Sequence, residues 1–249
     1  MSVRVYKVGG PALEDPALVA PLAEEVRGGR ALLVHGGGRH VERLLRALGI
    51  ESRFVLGRRE TSPAAMEVVE MVLAGVVNKA LAAGLTAAGV PAIGLSGRDG
   101  GLIRARLEPG LGRVGTPERV DPRPIEALWA AGYLPVVAPV STGPAGESLN
   151  VNADEVAQAL ALCLRAATLV YLSDVDGVRV GDAAVSDLDA DAIEAHLETG
   201  VIAGGMAMKV RTALGACRAG VPEVVIAGKA RLLGGFPGTR IATVAEVRA

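Results

Sequence analysis

The chain has 249 residues, half of them hydrophobic and 21% charged, which excludes disordered, collagen-like and disulfide-scaffold classes and allows a sizeable buried core. With 26 Lys and Arg against 27 Asp and Glu, the net charge is −1, so no cationic surplus exists for a nucleic-acid backbone or an anionic membrane, and neither is expected as a partner.

From the N-terminus, MSVRVYKVGG enters an alternating apolar strand within three residues, leaving no room for the basic region and hydrophobic stretch of a secretory signal. No run of about 18 uncharged apolar residues follows that would span a bilayer, so a cytoplasmic location is expected. Six short runs rich in β-branched residues recur along the chain: VRVYKV (3–8), ALLVHG (31–36), PAIGLSG (91–97), YLPVVAPV (133–140), TLVYLSDV (168–175) and PEVVIAG (222–228). Between them lie segments of helical length, among them PALVAPLAEEVRGG, HVERLLRALG, SPAAMEVVEMVLAGVVNKALAAGLTAAG and PRPIEALWAAG. This alternation predicts an α/β protein with a largely parallel sheet covered by helices on both faces. In the long third helix Met66, Val69, Leu73 and Val77 recur at spacings of three and four, and its remaining apolar side suits a subunit interface. The segment Ile103 to Asp121, rich in Gly, Arg and Pro, reads as a short hairpin or irregular excursion rather than core. Cys163 and Cys217, outside any CxxC pattern, read as small buried hydrophobes rather than a metal or redox pair. No linker divides the chain, which reads as one unit with two lobes, about 1–150 and 151–249.

Open α/β sheets bind ligands just beyond the C-terminal ends of their strands, and there the polar residues collect. Lys7-Val8-Gly9-Gly10 closes the first strand and His35-Gly36-Gly37-Gly38 the second. One such turn alone is simply tight; two at one sheet edge offer N–H groups and helix N-termini to a shared anion. Only four of the 26 basic residues are lysines, Lys7, Lys79, Lys209 and Lys229. Where Arg serves for charge alone, a retained lysine beside a Gly turn is suspect as a compact charge for a phosphoryl oxygen; Lys7 and Lys209 qualify, while Lys79 and Lys229 read as solvated. Asn150-Val151-Asn152-Ala153-Asp154 opens a helix: either an N-cap, or a cluster whose Asp154 holds the lysines. Asp174-Val175-Asp176-Gly177 ends the most hydrophobic strand as a turn or half of a cation site, and Arg58-Arg59 offers a guanidinium fork for a carboxylate. Neither GxGxxG nor GxxxxGK[ST] is present, against a dinucleotide dehydrogenase and a P-loop enzyme.

Taken in order, KVGG, HGGG, GRRET, VVEMVLAGVVNK, GLSGRDGGLI, LNVNADEVA, LSDVDGV and GGMAMK resemble the amino-acid kinase family, and within it the branch acting on N-acetyl-L-glutamate. The resemblance runs from Tyr6 to about Ala219. It implies a three-layer αβα sandwich with a mainly parallel central sheet, as in carbamate kinase-like folds. It also implies transfer of the ATP γ-phosphoryl group to the side-chain carboxylate of N-acetyl-L-glutamate, a step of arginine biosynthesis. Lys7 and Lys209 would flank the phosphoryl group, Gly10 and Gly37 would donate N–H bonds to it, and Asp154 would organise both lysines. Gly36, Gly37, Arg59 and Asn150 would grip the substrate, Arg59 at its α-carboxylate. The nucleotide would lie on Asp174, Val175, Asp176, Gly177 and Val178 and on the loop with Ile202, Ala203, Gly205 and Met206, beside Lys209. Magnesium is expected on the ATP phosphates without an obligatory protein ligand. No general base is needed, and His35 reads as a structural member of its turn.

Two departures from the family pattern stand near the expected substrate pocket: Glu60 in place of a hydrophobic residue, and Arg39-His40 after the glycines. They bear on the acyl substrate rather than on the reaction. Lys7 comes too early for the extra N-terminal helix of arginine-inhibited hexameric members, so an arginine-insensitive homodimer is expected, with the helix Ser62 to Ala88 at its interface. The rival acceptor is an aminoadipate blocked on its amino group or linked to a carrier protein; the rival class is a non-catalytic nucleotide or amino-acid sensor.

Overall fold

Alternate residues of the first strand, β1 (Val3–Val8), face opposite sides of the sheet: Val3 and Val5 join one buried cluster, Tyr6 and Val8 another. A strand buried on both faces belongs in the middle of a parallel sheet. The computed structural model, which describes residues 2–9, 13, 15–55, 57–181 and 183–243, places it there.

After β1 come α1 (Val19–Val26), β2 (Arg30–His35), α2 (Gly38–Ala47) and the hairpin strands β3 (Phe54–Val55) and β4 (Arg58–Arg59). A long helix follows in three parts, α3 (Pro63–Glu70), a π-helical stretch (Met71–Val77) and α4 (Asn78–Ala87). The chain continues through β5 (Ala92–Ser96), β6 (Ile103–Leu107), β7 (Val114–Val120), α5 (Arg123–Ala130), β8 (Leu134–Ala138), β9 (Val140–Thr142), β10 (Ser148–Val151) and α6 (Ala153–Cys163). The last part holds β11 (Thr168–Leu172), β12 (Arg179–Val180), β13 (Ala183–Ala184), β14 (Asp187–Asp189), α7 (Ala190–Glu198), α8 (Gly204–Arg218), β15 (Glu223–Ala227), α9 (Lys229–Leu232) and β16 (Thr239–Ala242).

Eight strands make one sheet in the order β14-β16-β15-β11-β1-β2-β8-β5, and every pairing is parallel except β15 with β16. All six runs read from the sequence are here. The two strands missing from that reading, β14 and β16, have three and four residues, too few for a period to show. Helices α5, α6, α7 and α8 pack on one face and α1 and α4 on the other, giving three αβα layers.

The excursion expected outside the core is a correction. Residues 103–120 do form an antiparallel hairpin, β6 with β7, but it closes a four-stranded barrel with β9 and β10. Ile103 and Ala105 are buried in the main core and Val114 is buried as well, while Arg104 and Arg106 face out. Between the partners of Arg104 and Ala105, β7 carries one extra residue, Glu118, and the alternation that would have marked that strand is lost there. A second correction concerns Cys163, which is exposed; Cys217 is buried, and both are free thiols.

Ser62 starts the long helix by accepting from the Ala65 N–H (3.1 Å). The π-helical stretch then turns its apolar stripe. Before and within it, Met66, Val69 and Leu73 pack with Val41 and Leu45 of α2; after it, Leu81 and Leu85 pack with α1 and the sheet. This helix, Pro63–Ala87, is long and apolar enough to cross a membrane, with mean hydropathy 1.7, and half of that window is buried inside the protein. Its burial marks it as a core helix.

Asn78, fully buried, ties the helix to three strands: its Nδ2 donates to Val136 O (2.8 Å) and lies within reach of His35 Nε2 (3.1 Å) and Leu95 O (3.3 Å). Replacing it with Ala removes these bonds and leaves buried acceptors unpaired. Asn78→Ala is expected to cost about 2–4 kcal/mol in urea unfolding; a loss under about 1 kcal/mol would show that the network contributes little.

Candidate active site

Three neighbouring strand ends build the site. The Gly36 N–H donates to Val8 O (2.8 Å) and the Gly9 N–H to Leu172 O (3.2 Å), which stitches β2, β1 and β11 together just past their last residues. Lys7 shares the side of β1 used by Val3 and Val5, so it faces α6. There its Nζ lies 2.8 Å from Asp154 Oδ1. Asp154 sits in the first turn of α6, where the helix N-terminus favours a negative charge, and its N–H is capped by Asn152 Oδ1 (2.8 Å). The side chains of Lys7 and Asp154 are 17% and 24% exposed, so this pair is only weakly screened.

Two glycines make the space. A β-carbon on Gly9 would lie 2.7 Å from Lys7 Nζ, so any side chain there would push the ammonium aside. Gly37 precedes α2 with φ +146°, and a β-carbon on it would lie 2.7 Å from Leu73 Cδ2.

Two cavities open here, and both are lined by Lys7 and Asp154. The first, about 220 Å³, takes in Gly36, Gly37, Arg58, Arg59 and Asn150, with Val69, Leu73 and Val114 as apolar wall. The second, about 210 Å³, is lined by Gly9, Arg39, Tyr171, Ser173, Asp174, Lys209 and Thr212. The ammonium-bearing residues Lys7 and Lys209, 202 residues apart in sequence, thus line one cavity. Their carboxylates differ from expectation. Asp154 pairs with Lys7, and Lys209 Nζ donates to Asp174 Oδ1 (2.9 Å). That bond, with one from the Ser173 hydroxyl, pulls the Asp174 carboxyl down to about 2.

Arg59 is 8% exposed and stacks 4.6 Å over the Phe54 ring. Its Nη1 donates to Glu42 Oε2 (2.5 Å) and to Ser52 Oγ, and its Nη2 to Gly38 O (3.3 Å). Arg58 reaches the other way, to Glu155 Oε1 (2.5 Å) and Thr116 Oγ1 (2.9 Å). Asn150 Nδ2 donates to Thr61 Oγ1 (3.1 Å). The Gly36 N–H, bound to Val8 O, is already committed within the turn. Gly10 lies outside the described residues. Neither Val175, Asp176, Gly177 and Val178 nor Ile202, Ala203, Gly205 and Met206 line the two cavities; Val178 and Ile202 are buried in the core, and Asp176 Oδ1 accepts from the Ala230 N–H (3.0 Å). Glu60 pairs with Arg53 and lines a separate groove, and His40 lines an apolar cleft beside Val76. Of the departures from the family pattern, only Arg39 reaches the cavities.

Sequence reasoning missed Glu42, Ser52 and Tyr171. For Tyr171 a signal existed: it is the register partner of Lys7 on the neighbouring strand, and register partners on parallel strands share a face.

The sequence profile described as the amino acid kinase family matches residues 2–228. The acetylglutamate kinase of Rubrobacter xylanophilus is 47% identical, covering 98% of this chain and 97% of its own. That of Chloroflexus aurantiacus is 44% identical, with 96% of each covered. A crystal structure of a Streptococcus mutans protein superposes with TM-score 0.83 at 27% identity, covering 96% of this chain and 98% of its own.

His35 holds the second Gly turn. It is fully buried, with Nδ1 2.7 Å from Gly36 O and Nε2 facing Asn78 Nδ2. The carbonyl makes Nδ1 the protonated nitrogen, leaving Nε2 to accept from Asn78. Burial holds its pKa down at about 4, against an ordinary 6.5. Between those values the unfolded chain takes up a proton that folded His35 refuses, so its contribution is complete above pH 6.5 and is lost as pH falls toward 4. Urea stability of the wild type should fall across that window, and His35→Gln should flatten the slope. Equal slopes in the two proteins would contradict this.

Proposed function

Starting from a chain that belongs to the amino acid kinase family, we propose that it transfers the γ-phosphoryl group of ATP to the side-chain carboxylate of N-acetyl-L-glutamate, giving an acyl phosphate and ADP. One observation carries the reading: two cavities meet at the Lys7–Asp154 pair, and the second also holds Lys209. The acceptor enters the first and the nucleotide phosphates the second. The carboxylate is already an anion, so it attacks phosphorus without a general base, the bond to the ADP oxygen breaks, and the leaving oxygen departs as an anion on ADP. Catalysis then consists of alignment and neutralisation of charge on the transferring group. Lys7 supplies that charge at the boundary between the cavities, Lys209 on the nucleotide side, and the Gly37 N–H at the start of α2. Arg59, fixed by Glu42 and Ser52, takes the α-carboxylate, and Asn150 the acyl-amino group.

Asp154 and Asp174 are each engaged by a lysine, and no group of three His, Cys, Asp or Glu among the described residues forms a metal site. Magnesium arriving with ATP would be held through the phosphate oxygens, with water completing its shell, and would neutralise phosphate charge beside the two lysines. The residues of the first cavity come mainly from the N-terminal half and those of the second mainly from the C-terminal half, which supports lobes of about 1–150 and 151–249. Exposed Met71 (55%) and Val76 (61%) on the long helix support its place at a homodimer interface. Two free thiols suit a reducing compartment, the cytoplasm, and the product is that of the carboxylate-activating step of arginine biosynthesis.

Hydroxylamine trapping of the acyl phosphate across a panel of N-acetylglutamate, N-acetylaminoadipate, glutamate and aspartate should give the highest kcat/KM for N-acetylglutamate. ATP binding with no trapped product from any of them would replace the kinase reading with a sensor. Lys7→Ala and Lys209→Ala are each expected to lower kcat by about a hundredfold or more while the fold is kept; unchanged turnover would remove the assigned roles. Arg59→Ala should raise the acceptor KM about tenfold or more with little change in the KM for ATP. A selective rise in the KM for ATP would mean that the two cavities have been assigned in reverse.

A further inference from the structure

Two buried polar atoms at the transfer site lack hydrogen bonds to the protein. Tyr171 is 5% exposed, and its hydroxyl makes no such bond. Asp154 Oδ1 is likewise buried and without one; its 2.8 Å contact with Lys7 Nζ is an ion pair by proximity rather than an aligned hydrogen bond. Both residues line the same cavity. Tyr171 is the strand partner of Lys7 and lies on the same sheet face, under the first turn of α6. Burying a hydroxyl or a carboxylate oxygen without a partner costs free energy, yet Leu or Ile would fill this core position without that cost. A phenol O–H donates and a carboxylate oxygen accepts, so the two unmet needs are complementary.

We propose that the Tyr171 hydroxyl is a positioning group for Asp154, its O–H acting on the carboxylate from the buried side. Asp154 is thereby fixed on the side away from solvent, and Lys7 is held at the boundary where the phosphoryl group passes. The charged and titratable groups around Tyr171 are Lys7 on β1, Arg39 on α2, Asp154 on α6, Lys209 and Cys217 on α8 and Asp174 after β11. Burial, followed by the nearby Asp154 charge, raises the phenol pKa far above its ordinary value, so the hydroxyl keeps its proton and stays a donor at every working pH. A group that fixes Asp154 without touching either substrate acts on turnover and not on substrate affinity.

This inference rests on the phosphoryl-transfer reading, and Tyr171→Phe tests it. The change removes one oxygen and keeps the ring, so the fold is retained; if the hydroxyl were only an unsatisfied core group, its loss would leave stability equal or higher and turnover unchanged. The expected result is a fall in kcat of about tenfold, the size of one hydrogen bond to a charged group, with both KM values within about twofold of wild type. In an Asp154→Asn background the same substitution should cause no further fall in the single-turnover rate, because the group it positions is gone. Unchanged kcat, a selective rise in either KM, or an undiminished fall in the Asp154→Asn background would each overturn the proposal. Wild-type protein runs in every series: if it forms no acyl phosphate, the reaction reading fails, whereas an active wild type with an equally active Tyr171→Phe variant refutes this inference alone.

Discussion

A lysine on the central strand of the sheet, paired with a carboxylate in the first turn of the helix above it, is the interaction on which the rest of the site depends. Lys7 and Asp154 line both cavities. An ammonium at the end of a strand buried on both faces has little water to stabilise it. Asp154 supplies the opposing charge, and the α6 N-terminus with its Asn152 cap stabilises Asp154 in turn. The pair carries no net charge by itself, and an arriving phosphoryl group has to find Lys7 already aimed. Such preorganisation is what lets charge neutralisation accelerate a reaction in which the protein makes no covalent bond.

The sheet makes this pair possible by geometry rather than by any strength of the pair itself. Six neighbouring parallel strands, β15 through β5, end on one edge. At that edge Gly9 and Gly36 bond back to the strands on either side. Gly9 keeps clear the volume that the Lys7 ammonium occupies, and Gly37 lets α2 start against Leu73 of the long helix. The long helix is bound to the same edge through Asn78, whose amide meets β2, β5 and β8 at once. A disturbance in that helix therefore reaches the His35 turn and the first cavity without passing through solvent.

Much of this was legible in the sequence, for reasons that also explain the rest. The six long strands showed because each is a continuous apolar run, and Lys7 stood out because it interrupts the first of them just before a Gly turn. Asn152 was readable as a cap and proves to be one. What the sequence hid was mostly long-range. That Lys209 pairs with Asp174, 35 residues away, while Asp154 serves Lys7 depends on how α8 lies over the end of β11, which no local pattern encodes. The engagement of Arg59 by Glu42 and Ser52 depends on how the β3–β4 hairpin folds back on α2. The barrel was hidden by a register shift, and Tyr171 by its apolar neighbours, since a tyrosine inside an apolar run reads as core until its register partner is known.

The two lysines are held differently, and under the proposed reaction that difference has a physical sense. Lys7 projects from a strand fixed by neighbours on both sides, and its side chain is 17% exposed. Lys209 lies on a helix at the outer side of the second cavity, 32% exposed, and its carboxylate Asp174 is 52% exposed. An ion pair in contact with water contributes little by itself and is readily exchanged, so Lys209 gives up Asp174 for a phosphate oxygen at small cost. Breaking the more buried Lys7 pair would strand a charge and cost more. One cation is therefore permanent at the boundary between donor and acceptor, while the other comes over with the nucleotide. Negative charge on the reacting oxygens moves from the acceptor side to the ADP side during transfer. A fixed charge at the crossing point and an adjustable one on the leaving side follow that movement without requiring the sheet to move.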